Sequence, residues 1–284
     1  MTAPSRPILR WHGGKWRLAP WVIAHFPPHT VYVEPFGGAA SVLLRKQPAI
    51  SEIWNDLDDA VVGLFRVLRE RPRDLAEALA LTPFARAEYR TLYEPTSDPV
   101  EAARRLIGRS FMGQSSKGAL RRSGFDSRVN PDGYVGRLGS LRGLPEQISL
   151  IADRFSRVLI EHTDASVLMR RHDRVDALFF VDPPYLPQTR HAAHYNHELT
   201  RDGHAALLTL LRELKGMVVL AGYPSRLYDD ALGDWRRVSV KAFADGARER
   251  TEVLWINPAC AAALDTERKA VAGGHGTPLF EVPA

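Results

Sequence analysis

The sequence has almost no cysteine and no long apolar run. Cys260 is the single cysteine among 284 residues, so an intrachain disulfide cannot form and a thiolate zinc site is excluded. No apolar stretch approaches the about 20 residues of a membrane-spanning helix, and residues 1–10 lack the apolar core of a signal peptide. We therefore expect a cytoplasmic protein with no membrane partner and no bound metal.

Basic charge is concentrated in one segment of the chain. The formal net charge is +5, from 38 lysines and arginines against 33 acidic residues. Residues 101–150 alone contain nine basic and four acidic side chains, so this segment holds the whole excess. A local basic excess is compatible with a nucleic-acid partner, and also with a solvated helix face.

Short apolar runs, many of them rich in β-branched residues, alternate with helical patterns. Seven such runs predict buried strands, at residues 30–34, 51–55, 157–161, 177–182, 217–221, 236–240 and 252–257. Apolar side chains recur at helical spacing in residues 59–70 and 201–214. This alternation predicts an α/β fold with a mostly parallel, doubly wound sheet.

The middle of the chain interrupts the alternation. Residues 62–146 show helical patterns followed by a stretch rich in glycine, serine and arginine, without a strong strand run. We interpret them as an insertion between two parts of the main domain, residues 1–61 and 147–264. Residues 265–284 contain paired glycines and two prolines, which predicts a flexible tail.

The motif Asp182-Pro183-Pro184-Tyr185 directly follows a predicted strand. Ligands of open α/β sheets bind outside the carboxyl ends of strands. The Asp182 carboxylate and the Pro183 carbonyl, held by the restricted proline backbone, can accept the two hydrogens of an exocyclic amine. The Tyr185 ring can stack on a base taken out of a duplex. A helix-capping aspartate in a Pro-Pro turn is the alternative interpretation.

A glycine-containing motif follows the first predicted strand. It reads Glu34-Pro35-Phe36-Gly37-Gly38 and is predicted to open a helix. Paired glycines let the backbone approach a ligand closely, Phe36 can cover an adenine face, and Glu34 can accept hydrogen bonds. The spacing is not that of a dinucleotide fingerprint.

Two further motifs carry charge suited to a ligand. Asp56 follows the second predicted strand, where an acid suits ribose hydroxyls; Asp58 competes for this role and is the better candidate for a helix N-cap. Residues 11–15 read Trp-His-Gly-Gly-Lys, and Lys15 offers a point charge for a carboxylate or phosphate. A basic surface turn is the alternative for this last motif.

In their order along the chain, these four motifs resemble the Dam-like class of DNA adenine N6-methyltransferases. The order is a Gly-Gly-Lys turn, a Glu-Pro-Phe-Gly-Gly loop, an acidic strand end, a long insertion and Asp-Pro-Pro-Tyr. Weaker similarities lie in residues 220–223 and 250–257. The resemblance extends over residues 7–257.

The resemblance implies a seven-stranded, mostly parallel Rossmann-like methyltransferase sheet with an inserted, mainly helical target-recognition region. It implies S-adenosylmethionine as cofactor and double-stranded DNA as partner, and we expect a monomer or weak dimer. The implied cofactor contacts are Trp11, Gly14, Lys15, Glu34, Phe36, Gly37, Asp56, Asp164 and Asp182. The implied catalytic residues are Asp182, Pro183, Pro184 and Tyr185.

The insertion departs from the family members that read GATC, so that target sequence is not carried over. Its basic side chains can neutralise phosphates or read guanine edges, and those expected to contact DNA are Arg109, Lys117, Arg121, Arg122 and Arg128. Residues 186–199 are interpreted as a loop that closes over the flipped base. Their histidines lack a carboxylate–histidine arrangement typical of metal sites.

The residues favour direct methyl transfer over other chemistries. A cytosine C5 mechanism needs a cysteine nucleophile, and Cys260 lies away from the motifs. N4-cytosine enzymes more often begin the catalytic motif with serine, and RNA or protein-glutamine enzymes with asparagine. A non-catalytic DNA-binding protein on the same fold is a further alternative, disfavoured by the intact set Lys15, Asp56 and Asp182.

Overall fold

The computed structural model describes residues 4–131, 137–186, 196–243 and 249–272. Strands β1 to β7 span Val31–Glu34, Ser51–Asn55, Val158–Glu161, Ala177–Val181, Met217–Gly222, Arg236–Phe243 and Glu249–Ile256. Helices α1 to α11 span Ala19–Ile23, Asp59–Glu70, Pro72–Ala80, Arg86–Thr91, Pro99–Met112, Leu138–Arg142, Pro145–Phe155, Ala165–Arg171, Arg201–Glu213, Arg226–Ala231 and Pro258–Ala272. None of the helices in these ranges combines the length and the apolar character of a membrane span.

The seven strands form one sheet in the order β3-β2-β1-β4-β5-β7-β6. Neighbouring strands from β3 to β5 pair in parallel, whereas β7 runs antiparallel to both β5 and β6. The predicted seven-stranded, mostly parallel sheet is therefore confirmed, with strand ends that differ from prediction by up to three residues.

Helices cover both faces of the sheet, as the unbroken apolar strands require. Successive residues of a strand point to opposite faces: Tyr32 packs in one core with α2, α5 and α7, while Val31 and Val33 pack in another with α8 and α9. On the first face, Phe65 of α2 stacks on Phe155 of α7 with ring centroids 4.4 Å apart. The two cores therefore pack the sheet between two layers of helices.

The segment between β2 and β3 contains helices α2 to α7. The two predicted boundaries of the insertion, 61/62 and 146/147, fall inside α2 and α7, which pack together over the sheet. The division into a catalytic domain and an inserted domain stays a prediction. The structure adds that the first and last of these helices belong to the layer covering the sheet.

Two local predictions differ from the structure. Residues 35–50 form turns, and no helix opens after β1 in this described stretch, because Gly38 (φ 47°) and Ala40 (φ 53°) have left-handed backbones that a right-handed helix cannot contain. Helix α11 extends through residues 265–272 of the predicted flexible tail. There Asp265 pairs with Arg236 of β6 at 2.6 Å. Residues 273–284 lie outside the described residues.

Candidate active site

The cleft of the fold lies where the strand order reverses. β1 has β2 on one side and β4 on the other, so the chain connections leave this point in opposite directions, and ligands of such sheets bind outside the carboxyl ends there. A cavity of about 760 Å³ opens at this position, within the usual size of a small-molecule site.

Every residue predicted to contact the cofactor lines this cavity. The lining includes Trp11, Gly14, Lys15, Glu34, Phe36, Gly37, Asp56, Asp164 and Asp182. They arrive from five separate places: the segment before α1, the end of β1, the end of β2, the start of α8 and the end of β4. The convergence follows from the parallel strands, whose carboxyl ends meet at one edge of the sheet.

Lys15 and Asp182 form an ion pair at the edge of the cavity. The Lys15 Nζ lies 3.0 Å from Asp182 Oδ2, and the side chains are only 4% and 18% exposed; the ammonium also donates to the Gly13 carbonyl at 2.8 Å. Burial opposes the charge of Lys15, but the attraction of Asp182 and Glu252 outweighs burial and raises the pKa of Lys15. The ammonium form of Lys15 is therefore favoured.

The second oxygen of Asp182 has a different environment. Asp182 Oδ1 is buried and has no hydrogen-bond partner among the described residues. Burial raises the pKa of Asp182, with the ammonium of Lys15 opposing the shift. A buried acceptor without a partner is costly, so this oxygen is suited to a donor that arrives with a ligand.

The rest of the catalytic motif is split between the cavity and its wall. Pro184 lines the cavity and Pro183 is buried. Tyr185 lies behind Lys15, whose ammonium is 4.7 Å from the ring centroid, and its hydroxyl donates to Glu252 Oε2 at 2.8 Å. The expected stacking of the Tyr185 ring on a base stays a prediction, because the ring is outside the cavity lining in the described residues.

The glycine loop after β1 leaves its backbone exposed to the cavity. A Cβ atom at Gly37 would lie 2.0 Å from Nε1 of the buried Trp54, so no side chain fits there. Asp56 holds the loop, since its Oδ2 accepts from the Gly38 N–H at 2.8 Å while its Oδ1 accepts from the Asp58 N–H at 2.9 Å. A carboxylate has about four acceptor positions, so Asp56 retains capacity for a ligand.

Two other acids of the cavity cap helices. Asp58 accepts from the backbone N–H groups of Ala60 and Val61 at the start of α2, which confirms the N-cap predicted for it. Asp164 caps α8 through its Oδ1 alone. Its other oxygen, Oδ2, has no hydrogen-bond partner in the described ranges and can face a ligand.

Glu34 forms part of the cavity floor and is 2% exposed. The Tyr32 hydroxyl donates to its Oε1 at 2.6 Å. Burial raises the pKa of Glu34 to about 8, against the opposing effect of this hydrogen bond. Glu34 is therefore a neutral carboxylic acid at neutral pH, able to donate as well as accept.

The basic residues expected to contact DNA differ in their surroundings. Arg109 donates to the Ala119 carbonyl at 2.9 Å, and Arg128 pairs with Asp126 at 2.8 Å. Arg121 and Arg122 are exposed and directly follow Leu120, which lines the cavity. Lys117 lies in the 3-10 turn Ser116–Ala119. Of this set, Arg121 and Arg122 are the arginines best placed to meet a ligand at the cavity mouth.

The described end of the predicted closing loop lines the cavity, and the structure adds one acid near the site that sequence reasoning did not identify. Residues 196–199 line one side, and Asn196 donates to Asp58 Oδ2 at 2.8 Å. That acid is Glu252, which hydrogen-bonds Tyr185 outside the cavity lining of the described residues. The feature of the sequence that could have identified it is an acidic residue next to the apolar run of β7. In the predicted closing loop, residues 187–195, including His191, His194 and Tyr195, lie outside the described residues.

Neither a cysteine nucleophile nor a bound metal finds support among the described residues of the site. Cys260 lies in α11, where burial raises its thiol pKa to about 12, and it lies outside the cavity lining of the described residues. The described residues contain no cluster of three or more potential metal ligands. The cavity instead offers acids, an ammonium group, glycine backbone and the aromatic rings of Trp11, Phe36 and Phe180.

Comparison with known proteins agrees with this geometry. The family model of the D12 class N6 adenine-specific DNA methyltransferases matches residues 11–243. The DNA adenine methylase of Salmonella typhi is 25% identical over 213 residues, which cover 71% of this chain and 74% of that protein. That of Serratia marcescens is 24% identical over 189 residues, covering 64% and 68%. The chain therefore belongs to the D12 class of N6 adenine-specific DNA methyltransferases.

Proposed function

We propose that the cavity between β1 and β4 binds S-adenosylmethionine and that residues 182–185 present a flipped adenine to it. The proposal gives these residues specific roles in the N6 methylation of adenine in DNA, which is the activity of the family. The observation that carries the proposal is Asp182 Oδ1, a buried acceptor at the cavity edge with no partner in the described chain. An amine hydrogen of adenine satisfies it.

The cavity fits the cofactor in size and in chemistry. Its volume of about 760 Å³ suits a nucleoside carrying an amino-acid chain. The Asp56 carboxylate can accept ribose hydroxyls, the Phe36 ring can cover the adenine, and the loop at Gly37 lets the ligand approach the backbone. Asp164 Oδ2 can accept from the adenine amine. When bound, S-adenosylmethionine supplies a methyl group on a positively charged sulfur that leaves with the bonding electrons.

The chain contributes orientation and a proton acceptor. Asp182 Oδ1 and the Pro183 carbonyl accept the two hydrogens of the target amine, which turns its lone pair toward the methyl group. Holding two reactants in line accounts for much of the acceleration in such a step. As the new nitrogen–carbon bond forms, the Asp182 carboxylate takes the proton that the amine releases. Burial raises the pKa of Asp182, which favours this transfer.

The product identifies the reaction. Purified protein is incubated with tritiated S-adenosylmethionine and unmethylated duplex DNA, and the label is traced to the nucleoside. We expect it in N6-methyldeoxyadenosine, and a duplex with N6-methyladenine at every adenine is expected to take up none. Label in N4-methylcytosine would keep the mechanism and replace the base. Bound cofactor with no labelled DNA would contradict the proposal.

We propose further that Arg121 and Arg122 contact the DNA backbone. Both are exposed and adjoin Leu120 of the cavity lining. Each phosphate contact contributes about 0.9 to the slope of log K against log salt. The variant Arg121→Ala/Arg122→Ala is expected to bind duplex DNA more weakly, with a slope smaller by about 2, measured by fluorescence anisotropy over a salt series.

The matched control for this pair is Arg226→Ala. Arg226 is 94% exposed at its side chain and lies on α10, away from the insertion. Its substitution is expected to leave the salt slope unchanged. An unchanged slope in the double variant as well would remove these two arginines from the DNA interface.

A further inference from the structure

A buried polar pair lies behind the cavity wall. The Tyr185 hydroxyl donates to Glu252 Oε2 at 2.8 Å, and both residues are only 8% exposed. Tyr185 belongs to the proposed catalytic motif, whereas nothing so far gives Glu252 a role. Neither side chain lines the cavity in the described residues, so any effect of Glu252 on the cavity passes through its neighbours.

The reversed strand of the sheet brings Glu252 to the site. β7 runs antiparallel to β5, and Val253 pairs with Gly222, the last residue of β5. The residue before Val253 therefore lies just beyond the carboxyl end of β5, at the edge where the cleft opens. A strand parallel to the others would have placed it at the opposite edge.

Three contacts fix the ring of Tyr185. The Lys15 ammonium lies 4.7 Å from its centroid, the Tyr223 ring meets it edge-on with centroids 4.6 Å apart, and Glu252 holds its hydroxyl. Of these contacts, the hydrogen bond is the directional one. It fixes the direction of the ring axis from Cβ to the hydroxyl, while Lys15 and Tyr223 set the rotation of the ring about that axis; Asp182 lies three residues earlier in the motif.

Glu252 also bears on the charge of the ion pair. Lys15 contacts Asp182, and the attraction of Glu252 adds to that of Asp182 in raising the pKa of Lys15. The cluster therefore couples the aromatic ring, the ammonium and the catalytic carboxylate. A substitution at Glu252 is therefore expected to displace Lys15 and Asp182, which line the cavity, although Glu252 itself lies outside the cavity lining.

We propose that Glu252 is a positioning residue for methyl transfer, which orients Tyr185 and thereby Asp182 and the target base. The proposal rests on the proposed function of residues 182–185. It makes the geometry of the catalytic motif depend on an acid 67 residues away along the chain.

The test is a double-mutant cycle on the full chain with Glu252→Ala, Tyr185→Phe and the double variant, together with Glu252→Gln. Glutamine keeps an oxygen that accepts from the hydroxyl, whereas alanine removes it. We expect Glu252→Ala and Tyr185→Phe each to lower kcat about tenfold or more, since small misplacements of reactants are costly. KM for DNA is expected to change less, and Glu252→Gln to keep kcat within about threefold of wild type.

The double variant Tyr185→Phe/Glu252→Ala is expected to be no slower than the slower of the two single variants, because the hydrogen bond that both changes remove can be lost only once. The same non-additivity is expected in urea midpoints of the ligand-free protein, a readout independent of activity. Glu249→Ala is the matched control: Glu249 lies on the same strand, is exposed and pairs with Lys241, and its variant is expected to retain wild-type kcat.

Three results would overturn the inference: full activity of Glu252→Ala, losses that multiply in the double variant, or Glu252→Gln as slow as Glu252→Ala. If Glu252→Ala does not fold, Tyr185→Phe tests the same hydrogen bond from its donor side, and a kcat within about threefold of wild type would then overturn the inference. A wild-type protein that methylates no DNA would instead overturn the proposed function, so the two failures are distinguishable.

Discussion

Replacing Asp182 by asparagine is expected to slow methyl transfer about a thousandfold or more. Loss of a single preorganised electrostatic or proton-transfer group costs about 10²–10⁴ in rate. Asp182 is proposed to do both: it accepts a hydrogen bond from the target amine and then accepts the proton that the amine releases. Asparagine preserves the volume and leaves an oxygen for Lys15, now 3.0 Å from Asp182 Oδ2. Its amide nitrogen cannot accept either an amine hydrogen or a proton.

The measurement is a single-turnover assay with excess enzyme, which separates the transfer step from product release. Binding of S-adenosylmethionine, followed by calorimetry, is expected to survive, because Asp56 and the glycine loop are untouched and asparagine keeps an oxygen at the position of Asp182, itself a predicted cofactor contact. Asp230→Asn is the control, since Asp230 is 71% exposed at its side chain and lies on α10. A rate for Asp182→Asn within about tenfold of wild type would remove this carboxylate from the chemistry.

The sequence could predict which residues meet at the cavity because that information is local. Asp56 and Asp182 each directly follow an apolar run that forms a parallel strand, and the carboxyl ends of such strands share one edge. Once the runs before Asp56 and Asp182 are recognised as parallel strands, it follows that the two carboxylates lie at the same edge of the sheet. The pairing in the order β2-β1-β4 is what makes them neighbours.

Side-chain environments set by distant contacts could not be predicted in this way. The partner of the Tyr185 hydroxyl lies on β7, and its position depends on the reversal of that strand against β5. The DNA contact of Arg109 stays a prediction, and the sequence did not show that its guanidinium also donates to the Ala119 carbonyl across a turn of the insertion. A basic side chain in a sequence does not reveal whether the fold already provides its acceptor.

The loop after β1 failed as a helix prediction for a packing reason. The motif Glu34-Pro35-Phe36-Gly37-Gly38 is predicted to open a helix, but Gly37 lies against Trp54 so closely that a Cβ would overlap it. The chain then turns through left-handed conformations at Gly38 and Ala40. The side chain that decides this local structure belongs to β2, seventeen positions further along the chain.

Raising the pH is expected to destabilise the ligand-free protein through Glu34. Burial raises the pKa of this acid from 4.5 to about 8 in the folded state. Between these values the folded state retains a proton that the unfolded state has lost, so stability falls as pH rises and levels off above about pH 8. By linkage the loss approaches roughly 5 kcal/mol, which is a large share of the stability of a typical domain.

The variant Glu34→Gln isolates this effect, because glutamine has no titrating proton and still accepts from the Tyr32 hydroxyl, now 2.6 Å from Glu34 Oε1. Urea unfolding from about pH 5 to pH 9 gives the free energy of unfolding of both proteins. We expect the stability of Glu34→Gln relative to wild type to increase from pH 5 to about pH 8 and to level off above it. The change in that difference, rather than either stability alone, is the decisive quantity, since an amide in this position has its own burial cost.

Glu77→Gln is the control for the same series, because Glu77 is an exposed glutamate on α3 and its replacement is expected to shift stability equally little at every pH. A constant difference between Glu34→Gln and wild type would mean that Glu34 is ionised in the folded protein. The cavity floor would then carry a negative charge beneath the ligand. The measurement therefore decides whether a ligand bound above Glu34 meets a neutral acid or a carboxylate.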